Sequence, residues 1–440
     1  MEPDLNRGAL APVADEAEVA YPRVLGEIPR ELNGTLLRNG PNPFSGHFDG
    51  KGVLSWWPEA AMLHGTTFAE GQATVYRNRW VRTRDWARAT GKEDPSRYVA
   101  SNPNISVISH AGTTMALAEG GRPVAIDNQL QTLGLPSTHP SLVRGMMAHA
   151  KIDPSTGEMF GFRQDWVPPF LRYLVFDDTG QEVLNCEIDM ESPCMMHDMA
   201  ITRSSAIFFD LGVSIDLALL EHGLPIPVRW YDDRPCRLGI VPRNGGRATW
   251  VEIEPCFIQH VVNAYDDTDG TIVLDVVRYP WYFRFDPRAK RFVPNPLANL
   301  WRYRIDVQAG QATAHQLDDS DVELPRINEA KTGGEYRYLY TVEQPSDSEM
   351  RGVLKYDLRS GALDRHFVAP GDQNSEPIFV PRAPGADEDD GWILVCVYRR
   401  TTDTSDVLIL DAKDIAAPPV ATVQLPRRIP AGFHGAWVSA

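Results

Sequence analysis

Short apolar runs, each closed by turn residues, recur along this chain and leave room for little besides β-structure. Thr114-Met115-Ala116-Leu117-Ala118 stops at Glu119-Gly120-Gly121, Ala206-Ile207-Phe208-Phe209 stops at Asp210, and Thr271 to Val277 is apolar but for Asp275. Tyr336–Thr341, Gly352–Asp357, Trp392–Tyr398 and Val407–Asp411 repeat the pattern. Runs of this length, rich in β-branched and aromatic residues, read as strands. Asp153-Pro154-Ser155-Thr156-Gly157 and Asp357-Leu358-Arg359-Ser360-Gly361 have the make-up of hairpin turns. Residues 1–30 read as an irregular lead-in. Glu31–Pro43 reads as a strand ended by Gly-Pro-Asn-Pro, Phe48–Gly52 as a turn, and Ala73–Thr83 as an alternating strand. Helical signal is sparse. Ser214–Gly223 reads as one short amphipathic helix with a glycine stop. Followed by Leu224–Trp230, it either lines an apolar substrate mouth or covers an exposed edge.

Strands at this spacing mean a sandwich, a barrel or a propeller. The 35 prolines and 34 glycines are spread over all 440 residues, and no Ser/Gly-rich linker interrupts them. One body spanning 1–440 follows, and a β-propeller of about seven blades, each of roughly 40–50 residues, fits that length best.

The net charge of −16 argues against nucleic acid as a partner, because phosphate binding needs a basic face. No apolar run approaches the length of a membrane span. Met1-Glu2-Pro3-Asp4-Leu5 has neither a basic start nor an apolar core of the kind a signal peptide needs. Five cysteines, an odd number without paired spacing, fit a reducing cytoplasm. Cys194 and Cys256 lie near histidines in sequence but read as buried thiols.

Four stretches each carry one histidine in an apolar or small-residue setting: Met146–Pro154 with His149, Cys194–Ala200 with His197, Cys256–Ala264 with His260, and Pro430–Ala436 with His434. Any one alone reads as a hydrogen-bonded structural residue. As a set they read as four imidazoles converging on one metal ion, which requires a fold that brings separate strands to one axis. Imidazole suits iron, zinc and copper. No Cys-x-x-Cys or His-Glu-x-x-His spacing supplies a local site instead. Four neutral ligands leave the charge of the ion uncompensated, so carboxylates are expected to hold the other ring nitrogens. Glu119, Glu323 and Glu376 each stand in an apolar setting that suits this role, although strand-end acids are the blander reading.

At these residues the sequence resembles the carotenoid cleavage oxygenase family, which includes carotenoid, apocarotenoid and lignostilbene dioxygenases and a retinoid isomerohydrolase. The resemblance runs from about residue 20 to the end. It takes in Gly34-Thr35-Leu36-Leu37-Arg38-Asn39-Gly40-Pro41-Asn42-Pro43, His149 through Gly157 and Arg237-Leu238-Gly239-Ile240-Val241-Pro242-Arg243. It continues through His260-Val261-Val262-Asn263-Ala264-Tyr265, Glu376-Pro377-Ile378-Phe379-Val380-Pro381-Arg382 and Phe433-His434-Gly435. It implies a seven-bladed β-propeller with a dome of loops and short helices over an axial non-haem Fe(II). It also implies His149, His197, His260 and His434 as ligands, with Glu119, Glu323 and Glu376 behind them. Three departures stand out. The family's Asn-Thr-Asn motif reads Asn104-Ile105-Ser106, which makes the open iron position drier and more crowded. Ala118 occupies the place where lignostilbene-cleaving members carry a lysine. Lys51 stands in the fourth place of a Phe-Asp-Gly-Asp-Gly turn.

The resemblance implies an Fe(II)-dependent oxygenase, one iron per chain with O2 as co-substrate and no organic cofactor. It would cleave a C=C bond of a conjugated apolar alkene, a carotenoid or apocarotenoid, to two carbonyl products. A stilbene or phenylpropenoid is the alternative substrate, and a non-catalytic metal-containing propeller that binds a partner is the alternative class. Iron-dependent isomerisation of a retinoid-type ester would need a membrane-inserting patch, which the sequence does not display. Trp281, Tyr282 and Phe283 could line an apolar tunnel, with ordinary packing as the competing reading. An apolar substrate is compatible with weak contact at a membrane surface during uptake. Nothing in the sequence sets the oligomeric state.

Overall fold

The structure is a computed structural model that describes residues 4–50, 53–221, 223–224, 226–346 and 348–440. Met1–Pro3, Lys51 and Gly52 of the expected turn, His222 of the expected helix and Pro225 beyond it lie outside the described residues.

The apolar runs are strands, and their burial explains why they are apolar throughout. Along Gly391–Arg399, Trp392, Leu394 and Cys396 pack into one core with Leu36, Phe68, Val407 and Val423. The alternate residues Ile393, Val395 and Val397 pack into another with Tyr340, Val353 and Leu408. Successive side chains of a strand point to opposite faces, so this sheet is covered on both sides. Leu36 and Leu37 divide in the same way, Leu36 joining the first of these cores and Leu37 a third with Leu63, Val107, Ala116 and Ile126. A sheet buried on both faces shows no polar alternation, which is why its strands read as continuous apolar runs.

Among the described residues there are nine sheets, seven of them with four to six strands. All pairings recorded are antiparallel, most of them between strands close in sequence, and the fold is a seven-bladed β-propeller. The chain divides into two compact units. One comprises Met1–Gly145, Arg337–Glu343 and Ser348–Ala440, and the other Met146–Tyr336 with Gln344–Asp347. In the first unit, the strand Gly34–Pro41 pairs with Ala61–Ala69 on one side and with Gly435–Ser439 on the other. Early and late segments of the chain are thereby held in one sheet, with Gly435–Ser439 as its terminal strand. In the second unit, Phe162 and Tyr173 of one sheet meet Phe208 of the next edge-on, with ring centroids 6.1 and 5.4 Å apart. Each such buried ring contributes roughly 1.5–3 kcal/mol.

Three local expectations need correction. Residues 1–30 are not wholly irregular: Ala17–Ala20 pairs with Gln72–Trp80, and Arg23–Gly26 pairs with Ala421–Gln424. Both are four residues long and largely exposed, so neither carries an apolar signature. The strand expected to stop before Gly-Pro-Asn-Pro runs on through Gly40 to Pro41, which faces Ala61 at its last position. A proline at the end of a strand forfeits only one donor. The helix expected over Ser214–Gly223 is four residues, Ala218–Glu221. Ser214 and Ile215 belong instead to a ribbon with Arg229 and Val228, whose ladder bonds outweigh a marginal helix. Leu217 and Leu220 are left exposed. No helix among the described residues is long and apolar enough to cross a membrane.

Candidate metal centre

Each of the four histidines sits at or just before a strand. His149 precedes Lys151–Ile152, His197 precedes Ala200–Ile201, His260 lies within Phe257–Asp266, and His434 precedes Gly435–Ser439. In the second unit, His149, His197 and His260 form a triangle of rings, with centroids 4.4, 5.2 and 5.1 Å apart. The candidate ligand nitrogens of all four histidines lie within 4.8 Å of one another. No cysteine or carboxylate belongs to this group. Cys194 and Cys256 are buried, and their thiols point to the Phe209 carbonyl and the Tyr303 hydroxyl, each at 3.6 Å. Burial pushes the Cys256 thiol up to about 11, so neither packing nor charge state makes it a ready ligand.

Two of the rings are held by buried carboxylates in the same way. His260 Nδ1–H donates to Glu323 Oε2 at 2.5 Å, and His434 Nδ1–H donates to Glu376 Oε1 at 2.9 Å. A carboxylate offers only acceptors, so the Nδ1 of each ring must be the protonated one and the lone pair falls on Nε2. Each carboxylate is fixed in turn by a neighbouring backbone N–H. Leu324 N donates to Glu323 Oε2 at 2.7 Å, and Gly435 N donates to Glu376 Oε2 at 2.8 Å. Leu324 adopts φ 52, a left-handed conformation that costs a non-glycine residue roughly 1–2 kcal/mol. Gly435 must be glycine, because a Cβ there would lie 2.5 Å from the Leu37 carbonyl oxygen. Tyr279 O–H adds a 2.7 Å bond to Glu323 Oε1. Burial alone would raise the Glu323 carboxyl, but the His260 ring, the Tyr279 hydroxyl and the Leu324 N–H hold it below its ordinary 4.5.

The other expected site residues fall differently. Glu119 lies on the exposed turn after Thr113–Leu117, so burial does not single it out as it does Glu323 and Glu376. Ala118, beside it, is 4% exposed. Ile105 is half-buried, and its carbonyl accepts the His434 backbone N–H at 3.1 Å, which places it directly beside that ligand candidate. Tyr282 and Phe283 are buried in an aromatic cluster: Tyr282 stacks on Phe257 at 5.0 Å and meets Tyr279 edge-on at 4.8 Å. That cluster supports Glu323 through Tyr279. Trp281 carries the Arg284 guanidinium over its ring at 4.8 Å. Tyr279, Lys151 and Asp198, none of them singled out by the sequence, also lie against this group: Tyr279 on Glu323, and Lys151 and Asp198 on each other. The adjacency of Asp198 to His197, and of Lys151 two places after His149, was the available signal.

The model of the Retinal pigment epithelial membrane protein family matches residues 10–439. The carotenoid cleavage oxygenase of Mycobacterium tuberculosis is 32% identical, over 98% of this chain and 96% of that protein. A cobalt-substituted apocarotenoid oxygenase structure from Synechocystis superposes with a TM-score of 0.86 at 27% identity, covering 99% of this chain and 98% of that one. The lignostilbene dioxygenase structure of Pseudomonas brassicacearum superposes with a TM-score of 0.88 at 26% identity, covering 100% and 99%. With its propeller fold and its four clustered imidazoles, the chain belongs to the carotenoid cleavage oxygenase family and is an oxygenase of the dioxygenase class.

Proposed function

We propose that the four histidines hold one Fe(II) and that the protein uses O2 to cleave a C=C bond of a carotenoid or apocarotenoid, giving two carbonyl products. The observation that carries this reading is the donor set: four imidazole nitrogens within 4.8 Å, two of whose rings are tied through Nδ1 to buried carboxylates. That arrangement suits a borderline divalent ion, because each tied ring presents a neutral Nε2. Iron bound there would supply a redox centre able to take up O2. Every other role belongs to the chain. Glu323 and Glu376 lock the tautomers of His260 and His434 and place negative charge one bond behind the ligands. Ile105, whose carbonyl accepts the His434 N–H, is aliphatic where family members carry a threonine, and would offer no hydroxyl to a group bound there. Histidines must stay neutral to ligate, so metal binding and activity are expected to fall in acid.

Ala118 supports an apolar substrate, because a buried methyl offers no charge to a phenolate. The likeness to the lignostilbene dioxygenase favours a stilbene or phenylpropenoid as the second reading. Oxygen uptake by the iron-loaded protein, measured on apocarotenoids and on vinyl and stilbene phenols with identification of the carbonyl products, decides between them. Uptake confined to the apocarotenoids supports the proposal. Uptake confined to the phenols selects the second reading, and no uptake at full iron loading identifies a non-catalytic metal-containing propeller. We further propose a single domain over 1–440, supported by one family model matching 10–439, and a cytoplasmic location, supported by five free cysteines.

A further inference from the structure

We propose that Asp198 is a positioning residue for the metal centre, and that its carboxylate fastens together the three chain segments carrying His149, His197 and His260. The inference rests on these histidines being ligands. Asp198 directly follows His197 and is 1% exposed. Its Oδ1 accepts the Met199 N–H at 2.7 Å and lies 2.8 Å from Lys151 Nζ. Its Oδ2 accepts the Val261 N–H at 2.8 Å. Lys151 stands two residues beyond His149 and Val261 one residue beyond His260. One carboxylate therefore reaches all three segments, each contact within two residues of a candidate ligand.

The local backbone explains why such a tie is needed. Among the described residues, Phe257–Asp266 lies at the end of its sheet and pairs on one side, with Ile272–Tyr279. Its register shifts between Ile258 and His260 and again between Val261 and Asn263. Around His260 the strand is thus irregular and, among the described residues, has a ladder partner on one side only. The carboxylate of Asp198 takes up an N–H on this strand and sets its distance from the His197 segment. Lys151 then draws in the His149 segment and neutralises the buried charge, which would be costly alone. Glu323 orients one ring, whereas Asp198 spaces three backbones. Ligand rings with centroids 4.4–5.2 Å apart tolerate displacements of only about 0.5 Å before the geometry degrades.

The test compares wild type with Asp198→Asn, Lys151→Met and Lys151→Arg. Asparagine keeps the shape but has one acceptor oxygen, so it cannot serve Lys151 and Val261 together. Two quantities are read: the Fe(II) dissociation constant under anaerobic conditions, and the visible ligand-field spectrum of the Co(II)-loaded protein. The expected result is Fe(II) affinity weakened about 10–100-fold in Asp198→Asn and Lys151→Met, with shifted Co(II) bands and recovery of both in Lys151→Arg. A merely structural role would lower the unfolding midpoint and leave the Co(II) spectrum unmoved, which overturns the proposal. Lys151 is partly exposed, so Lys151→Met decides the matter where Asp198→Asn does not fold. Wild-type protein that takes up neither ion overturns the metal reading and this inference with it. Wild type that binds while both bridge variants bind equally well overturns the inference alone.

Discussion

Acidification should destabilise this protein through a histidine outside the metal centre. His64 lies on Ala61–Ala69, opposite Arg38 on one neighbouring strand and Asn78 on the other. It is 5% exposed, and its Nδ1 lies 2.9 Å from the Tyr76 hydroxyl. Burial, reinforced by the charges of Arg38 and Arg427, pushes the His64 imidazole down to about 3 from its ordinary 6.5. Below pH 6.5 the unfolded chain binds a proton at this residue and the folded chain does not. Stability therefore falls as pH falls from 6.5, and the loss levels off near pH 3. Each unit is worth about 1.36 kcal/mol, so by pH 4.5 the loss from His64 alone is about 2.7 kcal/mol. His64→Phe removes the titration. It costs roughly 1–3 kcal/mol at every pH, because the Tyr76 hydroxyl loses its partner. The assay is urea unfolding of metal-free wild type and variant at pH 7.5 and 4.5, followed by far-ultraviolet circular dichroism. Other titrating groups are common to both chains and cancel in the difference. Wild type should lose about 2.7 kcal/mol more than the variant over this range. Parallel pH dependences would show that the folded protein does not hold His64 neutral.

Three further outcomes follow from named contacts. Glu323→Gln and Glu376→Gln should each weaken Fe(II) binding about 10–100-fold, read by anaerobic metal titration, because the amide no longer holds the ring as a charged acceptor. Asp275 is fully buried and accepts from Arg302 Nε and Nη2, both at 2.7 Å, and from Tyr336 O–H at 2.5 Å; Asp275→Ala should cost about 1–3 kcal/mol in urea unfolding, because it leaves the buried Tyr336 hydroxyl and the half-buried Arg302 guanidinium without their acceptor. Leu394, fully buried between two sheets, should cost about 2–5 kcal/mol as Leu394→Ala in the same assay.

Much of the fold could be read from the sequence because burial on both faces writes strands as unbroken apolar runs, as in Trp392–Tyr398. The short strands at Ala17–Ala20 and Arg23–Gly26 could not be read, since they lie at sheet edges and bury little. Ser214–Ile215 misled because a helical pattern of apolar residues also fits a two-stranded ribbon followed by a turn. The four histidine stretches were legible from their composition, and the carboxylates of Glu323 and Glu376 from their apolar settings. Asp198 was not, because its role lies in contacts to a lysine and a backbone N–H that only the fold brings within reach.

One iron held by four histidines is the claim on which the rest depends. The direct measurement is metal content after anaerobic Fe(II) reconstitution and desalting, for wild type and for His149→Ala, His197→Ala, His260→Ala and His434→Ala, each checked for native circular dichroism. A four-histidine centre predicts one iron per wild-type chain and loss of stoichiometric iron in all four variants. A folded variant that keeps one iron per chain would contradict it.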